Sequence, residues 1–478
     1  MRWPDRNRSF MFGDQTVSGN KGTTLNMKAR AKEENASAPS QGAMSNPIVN
    51  GVSEKRMSAI ETFGETLPGL LVESVVDPDR PDHLLLHTWN GRRTTTARKV
   101  EHGDGSYIPG ALSGGLVQWV RFAPPSLPFA STAKIISSLR DFLSTYARLE
   151  PAVADLLVAF ALASWFCDSR PVAPALYLFG PDNTVSHVLR LLACFCRRPA
   201  LLGDVDFEGL MTLPNRLGAT LLINQRDLGR RVQRALLASN RRHFCIVRGK
   251  GRLDLYGAKA FSSAGLLGAE QGLKVSISPT HDSLPLLTDS AEHAIAHDLQ
   301  ARLLRYRMVH YVTVGRREVD CSALVPEMRD EASTWLAPLF DCPELSKAVF
   351  AEILRQSRET ADTRFFDPEC VVAEAALCFC HKPNIAHFFV GELAERVNAL
   401  LKGRHEESVL SAKRVGLVLR QIGVHGERVA EGYRIVLSDD VRNRIHQVAQ
   451  GYQVLSLKND VRRCRYCRGG DAAGPPTQ

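Results

Sequence analysis

Apolar residues fall into short runs in the first third of the chain and into helical spacing later. Residues 1–57 are rich in Ser, Asn, Gly and Lys and almost without apolar periodicity. Burial there cannot offset the entropy of ordering, which predicts a disordered tail. Between Leu67 and Tyr107, the stretches Leu70–Val76 and His83–Thr88 are broken by DPDRPD, NG and HGDG. This predicts a small β-containing segment over 58–129. A hairpin is expected at His87–Arg93, because Asn90-Gly91 suits the positive dihedrals of a tight type I′ turn. Residues 130–168 read as two helices. Ser131, Thr132 or Ser137 can cap the first, which carries Ile135, Ile136, Leu139 and Phe142, and Pro151 suits the first turn of the second. Val153–Phe166 spans 14 residues and contains Asp155, so it reads as a buried helix, short of the roughly 20 residues a membrane span needs.

Ala175–Phe179 is a short apolar strand, followed by Gly180–His187 and a helix expected over Val188–Cys196. Strand, turn and helix in this order form the setting of a phosphate-binding loop, whose amides and helix N-terminus face the anion. A working loop of the form G-x-x-x-x-G-K-[ST] needs a second glycine for close approach, a lysine for the outer phosphates and a hydroxyl for Mg²⁺. Gly180 is present, but Val185, Ser186 and His187 fill those three positions. Ala200–Leu202 and Ala219–Ile223 are further strands, and Phe244–Val247 another. Where an active NTPase carries acidic residues after its third strand, this chain has Asn224 and Gln225, neutral amides that bring no charge to a hard cation. The acidic loop Gly203–Glu208 could face the ligand crevice or be solvated. Arg230, Arg231, Arg234, Arg241 and Arg242 could meet phosphate or simply face solvent.

Together LYLFGPDNTVSH, LLGDVDFEGL, TLLINQRDL, ASNRR and GRLDLYGAKAFSSAG resemble the helicase-like P-loop domain associated with virus- and plasmid-type DNA primases. The form is degenerate, as in a related group of uncharacterised bacterial proteins, and covers roughly residues 165–310. The resemblance implies an α/β P-loop NTPase-like core, with its helical lead-in, over 130–310. It makes Asn224-Gln225 the counterpart of the acidic metal pair and Asn240 the polar sensor near the γ-phosphate. The nucleotide-binding remnant is then Gly180, Ser186, His187, Asn224, Gln225 and Asn240. An arginine acting on a neighbour's nucleotide is implied near Asp298–Arg307, where Arg302, Arg305 and Arg307 are available.

A helical connector is expected over 311–372 and a last domain over 373–458. There Ala373–His381, Val390–Leu401 and Ser411–Gln421 read as helices, Tyr433–Leu437 as a strand, and Asp439-Asp440 open a closing helix. Helix, helix, β-wing and helix, with the wording VGELAERVNALLKG and SAKRVGLVLRQIGV, resemble a winged helix-turn-helix domain. By that resemblance the helix starting at Ser411 is the recognition helix, which enters the major groove N-terminal end first. Lys413 and Arg414 are its leading contact candidates, with Arg420 beyond and Arg428 and Arg434 flanking the wing. Residues 391–468 hold fifteen Lys or Arg against nine Asp or Glu, most of the chain's net charge of +9. Winged helices also serve as protein-interaction modules, so that use stays open.

Eleven cysteines, an odd number, do not suit a secreted disulfide scaffold, and the expected location is cytoplasmic. Cys464-Arg465-Tyr466-Cys467 has the spacing of half a tetrahedral metal site. No second pair lies nearby. His446, His425 or another chain could complete it; otherwise it is a free dithiol in a flexible tail, 459–478. The chain therefore reads as a DNA-associated accessory protein with an inactive helicase-like core and double-stranded DNA as partner. No membrane contact or cofactor is expected, ATP with Mg²⁺ and zinc being outside readings. Alternatives are an NTP-hydrolysing enzyme with an unconventional loop, in which His187, Arg241 or a partner's arginine replaces the lysine and Asp204 or Asp206 recruits Mg²⁺, and a protein-interaction scaffold, which could be a homo-oligomer.

Overall fold

The computed structural model describes residues 59–111, 119–248, 251–262, 272–279, 283–364, 366–382, 384–452, 454, 464, 466 and 467. The chain divides into Met1–Arg56 and Met57–Gln478. The first unit, with nearly all of the tail expected over 1–57, lies outside the described residues.

At the centre of the second unit is a parallel sheet of five strands, in the spatial order Leu273–Ser276, Ala175–Phe179, Lys259–Phe261, Thr220–Ile223, Pro199–Leu202. In chain order this is 5-1-4-3-2. Helices cover both faces of such a sheet, so its strands are continuous apolar runs without alternation. All four residues of Thr220–Ile223 are buried. One face packs on the helices Thr132–Ala147, Pro151–Ser164 and Asp289–Arg316, where Leu157, Phe160 and Trp335 are buried with Leu176 and Leu178. The other face gathers Tyr177, Leu221, Ile223 and Phe261 with Phe63, Phe122 and Leu236.

Before the sheet, Gly64–Leu67, Leu70–Asp77, Arg80–Trp89 and Thr94–Ala97 form a four-stranded antiparallel sheet, and Ala59–Thr62, Gly105–Pro109 and Val100–His102 a three-stranded one. The hairpin at Asn90-Gly91 forms, but its turn is wider than the two-residue type expected: Trp89 pairs with Thr94, leaving Asn90–Arg93 as the loop. Asn90 Oδ1 accepts the backbone N–H groups of Arg92 (3.1 Å) and Arg93 (3.0 Å), with Gly91 at φ +86°. The Asn side chain thus caps the turn itself, and the chain needs two further residues to return.

Ser131 is the residue that caps the Thr132–Ala147 helix, its side chain accepting from Lys134 N. Pro151 opens the next helix. Ile246–Arg248 does not join the parallel sheet as the Phe244–Val247 run suggested. It pairs antiparallel with Gly251–Leu253 in a separate hairpin inserted before the Lys259–Phe261 strand.

After the long helix Asp289–Arg316 come Pro326–Leu336 and Pro343–Arg364, and then a second core that draws only on residues from Cys370 to Val454. Its helices are Pro368–His381, Val390–Gly403, Ala412–Gln421 and Asp439–Gly451, with a sheet in the order His387–Phe389, Gly432–Val436, Glu427–Val429. The first helix crosses residue 372, where a boundary was expected, because Cys370, Val371 and Val372 already belong to this core.

Candidate functional site

At the carboxyl ends of the parallel strands, where open α/β sheets place their ligands, a cleft of about 540 Å³ is lined by Gly180, Asp182, Val185, Arg226, Gln233 and Ser262 among others. Its geometry departs from a phosphate cradle. The helix expected from Val188 begins six residues earlier, at Asp182, so only Gly180-Pro181 separate it from the strand. Residues that would wrap an anion are instead the helix's first turn. Val185 is 2% exposed and part of the apolar core. Asp182 brings its own carboxylate to the positive helix end and pairs with Arg226 across the cleft mouth. The start of this helix is thus met by the chain's own Asp182–Arg226 ion pair.

Two of the predicted remnants do meet: Asn224 Nδ2 donates to Ser186 Oγ at 2.7 Å. Gln225 Oε1 accepts from Val205 N at 2.8 Å and so ties down the acidic loop. In that loop Asp206 caps the short helix Phe207–Leu210 through Gly209 N. His187 turns away and donates from Nε2 to the Tyr146 carbonyl at 2.9 Å. Gly180 is required by packing, since a Cβ there would collide with the Ile277 carbonyl oxygen.

Asn240 is at the opposite, amino-terminal end of the strands. Its carbonyl accepts from Ala173 N, just before the first strand, and its Oδ1 accepts from Lys259 Nζ at 2.9 Å. Lys259 opens its strand, is fully buried, and also donates to the Gly257 carbonyl at 2.9 Å. Burial pulls its pKa down to about 7. The helix Arg230–Ala238 has already returned the chain to the amino ends of the strands when Asn240 is reached, whereas Ser262, after the Lys259–Phe261 strand, lines the cleft.

Arg307 is not available to a neighbouring molecule. It is 1% exposed, and it donates from Nε to Glu73 at 2.7 Å and from Nη1 to Asp168 at 2.8 Å. Arg197 donates to Glu73 at 2.7 Å, and Arg198 pairs with the same carboxylate. Burial raises the Glu73 pKa, but the three guanidinium groups outweigh it and hold the group at about 2. Arg302 pairs with Asp298, and Arg305 stacks over Trp89. The signal for this cluster was a lone acid inside an apolar strand, Glu73 within Leu70–Val76, matched by Arg197-Arg198 directly before another strand.

Glu331, at the same amino-terminal end of the strands, accepts from Ala175 N at 2.7 Å, and burial pushes its carboxyl up to about 8. The folded chain then holds a proton that an unfolded one, ionising near 4.5, releases. This contribution to stability is complete below the unfolded value and lost as pH rises through the folded one. Glu331→Gln, neutral throughout, is expected to match the parent near pH ~4 and to melt higher than it near pH ~9. Equal melting differences at both pH values would refute the assignment.

In the C-terminal core Ser411 caps the Ala412–Gln421 helix through Arg414 N. Lys413, Arg414, Arg420 and Arg428 are exposed. Arg434 is held across the hairpin by Glu427, and Arg420 Nε donates to the Gly416 carbonyl at 3.3 Å. Arg442 is structural, donating to the carbonyls of Cys380 and Ile385 at 2.6 Å each. Cys464 and Cys467 do not stand alone: Cys464 Sγ lies 3.3 Å from His446 Nε2, and Cys467 Sγ 3.3 Å from His381 Nε2. His425 is not part of this group.

The class these coordinates define is a mixed α/β protein with a five-stranded parallel sheet, followed by a separate helical core with a three-stranded antiparallel sheet. No protein-family model and no curated protein sequence matches the chain. Among solved structures it is similar to the apo C-terminal region of NrS-1, with 10% identity over 77% of this chain and 97% of that one and a TM-score of 0.33. It is also similar to a full-length MCM homologue from Methanopyrus kandleri, with 13% identity over 61% of this chain and 78% of that one and a TM-score of 0.31. Drosophila ORC bound to DNA gives 13% identity over 68% and 94% and a TM-score of 0.17. Likeness at this level assigns no family. No described helix is long and apolar enough to cross a membrane.

Proposed function

We propose that the chain is a DNA-associated accessory protein, in which a winged-helix domain at residues 368–454 contacts duplex DNA and a degenerate P-loop NTPase-like core serves as scaffold. The order helix, strand, helix, helix and two-stranded wing, closed by a last helix, supports the winged-helix reading. The observation that carries the DNA reading is the basic leading turn of the Ala412–Gln421 helix. Lys413 and Arg414 project from it, with Arg428 on the wing, and no ion pair among the described residues holds any of the three. A helix presented in this way meets a groove with its N-terminal residues. The inactive core follows from the helix start at Asp182 and the neutral Asn224-Gln225 pair. Two parts of the rival with an unconventional loop are already engaged, His187 by the Tyr146 carbonyl and Asp206 by its own helix.

The test is a paired measurement on the intact chain with labelled ATP and labelled duplex DNA. DNA binding that weakens steeply between about 50 and 200 mM salt is expected, because released counterions drive phosphate binding. No ATP turnover is expected. Absence of DNA binding in low salt, or hydrolysis that disappears in an Asp204→Ala or His187→Ala variant, would sink this reading.

A further inference from the structure

We propose that His381, His446, Cys464 and Cys467 bind one zinc ion, which fastens the C-terminal residues to the helical core. The four side chains come from three places in the chain: the last turn of Pro368–His381, the interior of Asp439–Gly451, and a turn near the C-terminus. One ligand atom from each converges, all within 4.8 Å of one another. A zinc ion with nitrogens at about 2.0–2.1 Å and sulfurs at about 2.3 Å sets tetrahedral edges of about 3.3 Å between nitrogens, about 3.6 Å from nitrogen to sulfur and about 3.8 Å between sulfurs. Here the two Nε2 atoms are 3.1 Å apart, two of the four nitrogen–sulfur pairs are at 3.3 Å, and every pair lies within 4.8 Å. The three short spacings lie just inside those edges, and the widest pair needs a shift of about 1 Å at most to close around one small ion.

The surroundings prepare the ligands. His446 Nδ1 lies 2.7 Å from the Arg442 carbonyl, an acceptor only, so Nδ1 carries the proton and Nε2 turns a lone pair into the cluster. That carbonyl is itself fixed, because the Arg442 side chain clamps the carbonyls of Cys380, Ile385 and Leu437. Cys467 N donates to the Cys464 carbonyl at 3.2 Å, closing a turn that brings both sulfurs to one side. Tyr466 between them lays its ring 5.4 Å from that of His446 and donates to Asp439 Oδ1 at 2.5 Å.

Donor softness and geometry select the metal. Two thiolates and two imidazoles in a tetrahedron suit zinc, whereas magnesium and calcium take oxygen. A two-iron cluster with mixed ligands places its cysteines and histidines on different irons, which does not fit four atoms converging on one point. Binding displaces both thiol protons to solvent, and the two thiolates cancel the charge of the dication in a half-buried site. With four protein ligands no position stays open for substrate, so the ion is structural. It would pin residues 464–467 against the helices Pro368–His381 and Asp439–Gly451, the first of which packs on the basic helix Ala412–Gln421.

Full-length protein purified with reductant and supplied zinc should retain about one zinc per chain by elemental analysis, and the Cys464→Ser/Cys467→Ser double variant at least about tenfold less. Parent protein stripped by chelator and refilled with Co²⁺ should show the visible bands of a tetrahedral ion and a thiolate-to-cobalt charge-transfer band. This second readout does not depend on how the variant folds. Parent protein without zinc under these conditions, equal zinc in the double variant, or an octahedral cobalt spectrum would each overturn the proposal. None of these results depends on DNA binding, so the site and the proposed function fail separately.

Discussion

Glu73→Gln is expected to cost about 3–5 kcal/mol of stability, enough to leave little folded chain, because it strands buried guanidinium groups. Three arginines, Arg197, Arg198 and Arg307, share two carboxylates, Glu73 and Asp168, and all three arginines are under 5% exposed. Without Glu73 they face Asp168 alone in a medium that solvates charge poorly. Arg198→Met acts in the other direction on the charge balance, leaving two arginines for two acids. Burial already lowers the Arg198 pKa to about 10, which marks it as the least comfortable of the three. It also donates to the Leu217 carbonyl at 2.7 Å, so its loss still has a cost. Arg198→Met should therefore be destabilising but clearly milder than Glu73→Gln. Urea melts of the three chains would check the order. A Glu73→Gln midpoint within roughly 1 °C of the parent in a thermal scan would show that the cluster does not hold the fold.

The second large effect concerns DNA. Changing Lys413, Arg414 and Arg428 together to Ala should lower the slope of log affinity against log salt by about 2–3, near one unit per phosphate contact removed. Affinity near ~100 mM salt should fall by about a hundredfold or more, with the melting temperature unchanged because all three side chains are exposed. Arg434→Ala should do less, since Glu427 already holds that guanidinium. Fluorescence anisotropy with a labelled duplex at several salt concentrations separates these outcomes. An unchanged slope in the triple variant would remove these residues from the interface.

Much of the architecture was legible because apolar runs report burial directly. Ala175–Phe179 emerged with the expected bounds, and Ser131, Pro151 and Ser411 mark helix starts by mechanisms that act within one turn. What failed was inference that crossed space. Helix formation from Asp182 was hidden because a loop motif was imposed on residues whose own pattern, with Val185 and Val188 on the buried side, already continues as a helix. Asn240 was placed by order along the chain, but the helix Arg230–Ala238 has by then returned the chain to the amino ends of the strands. Local sequence offers His446 and His425 beside Cys464 and Cys467, but His381 lies 83 residues before Cys464, and no local spacing rule reaches that far.

Gly180 has a meaning for how such a chain can change over time. Its neighbours in the first turns of the helix from Asp182 answer to the core, to Asn224 or to Tyr146, and each of those duties can be met by several residue types. Position 180 cannot be released in the same way, because the Ile277 carbonyl stands where any side chain would begin, whether or not a phosphate ever binds. Sequence drift through this segment must therefore leave that glycine in place. A lone glycine at a strand end is then a record of sheet packing, and it carries no message about catalysis on its own.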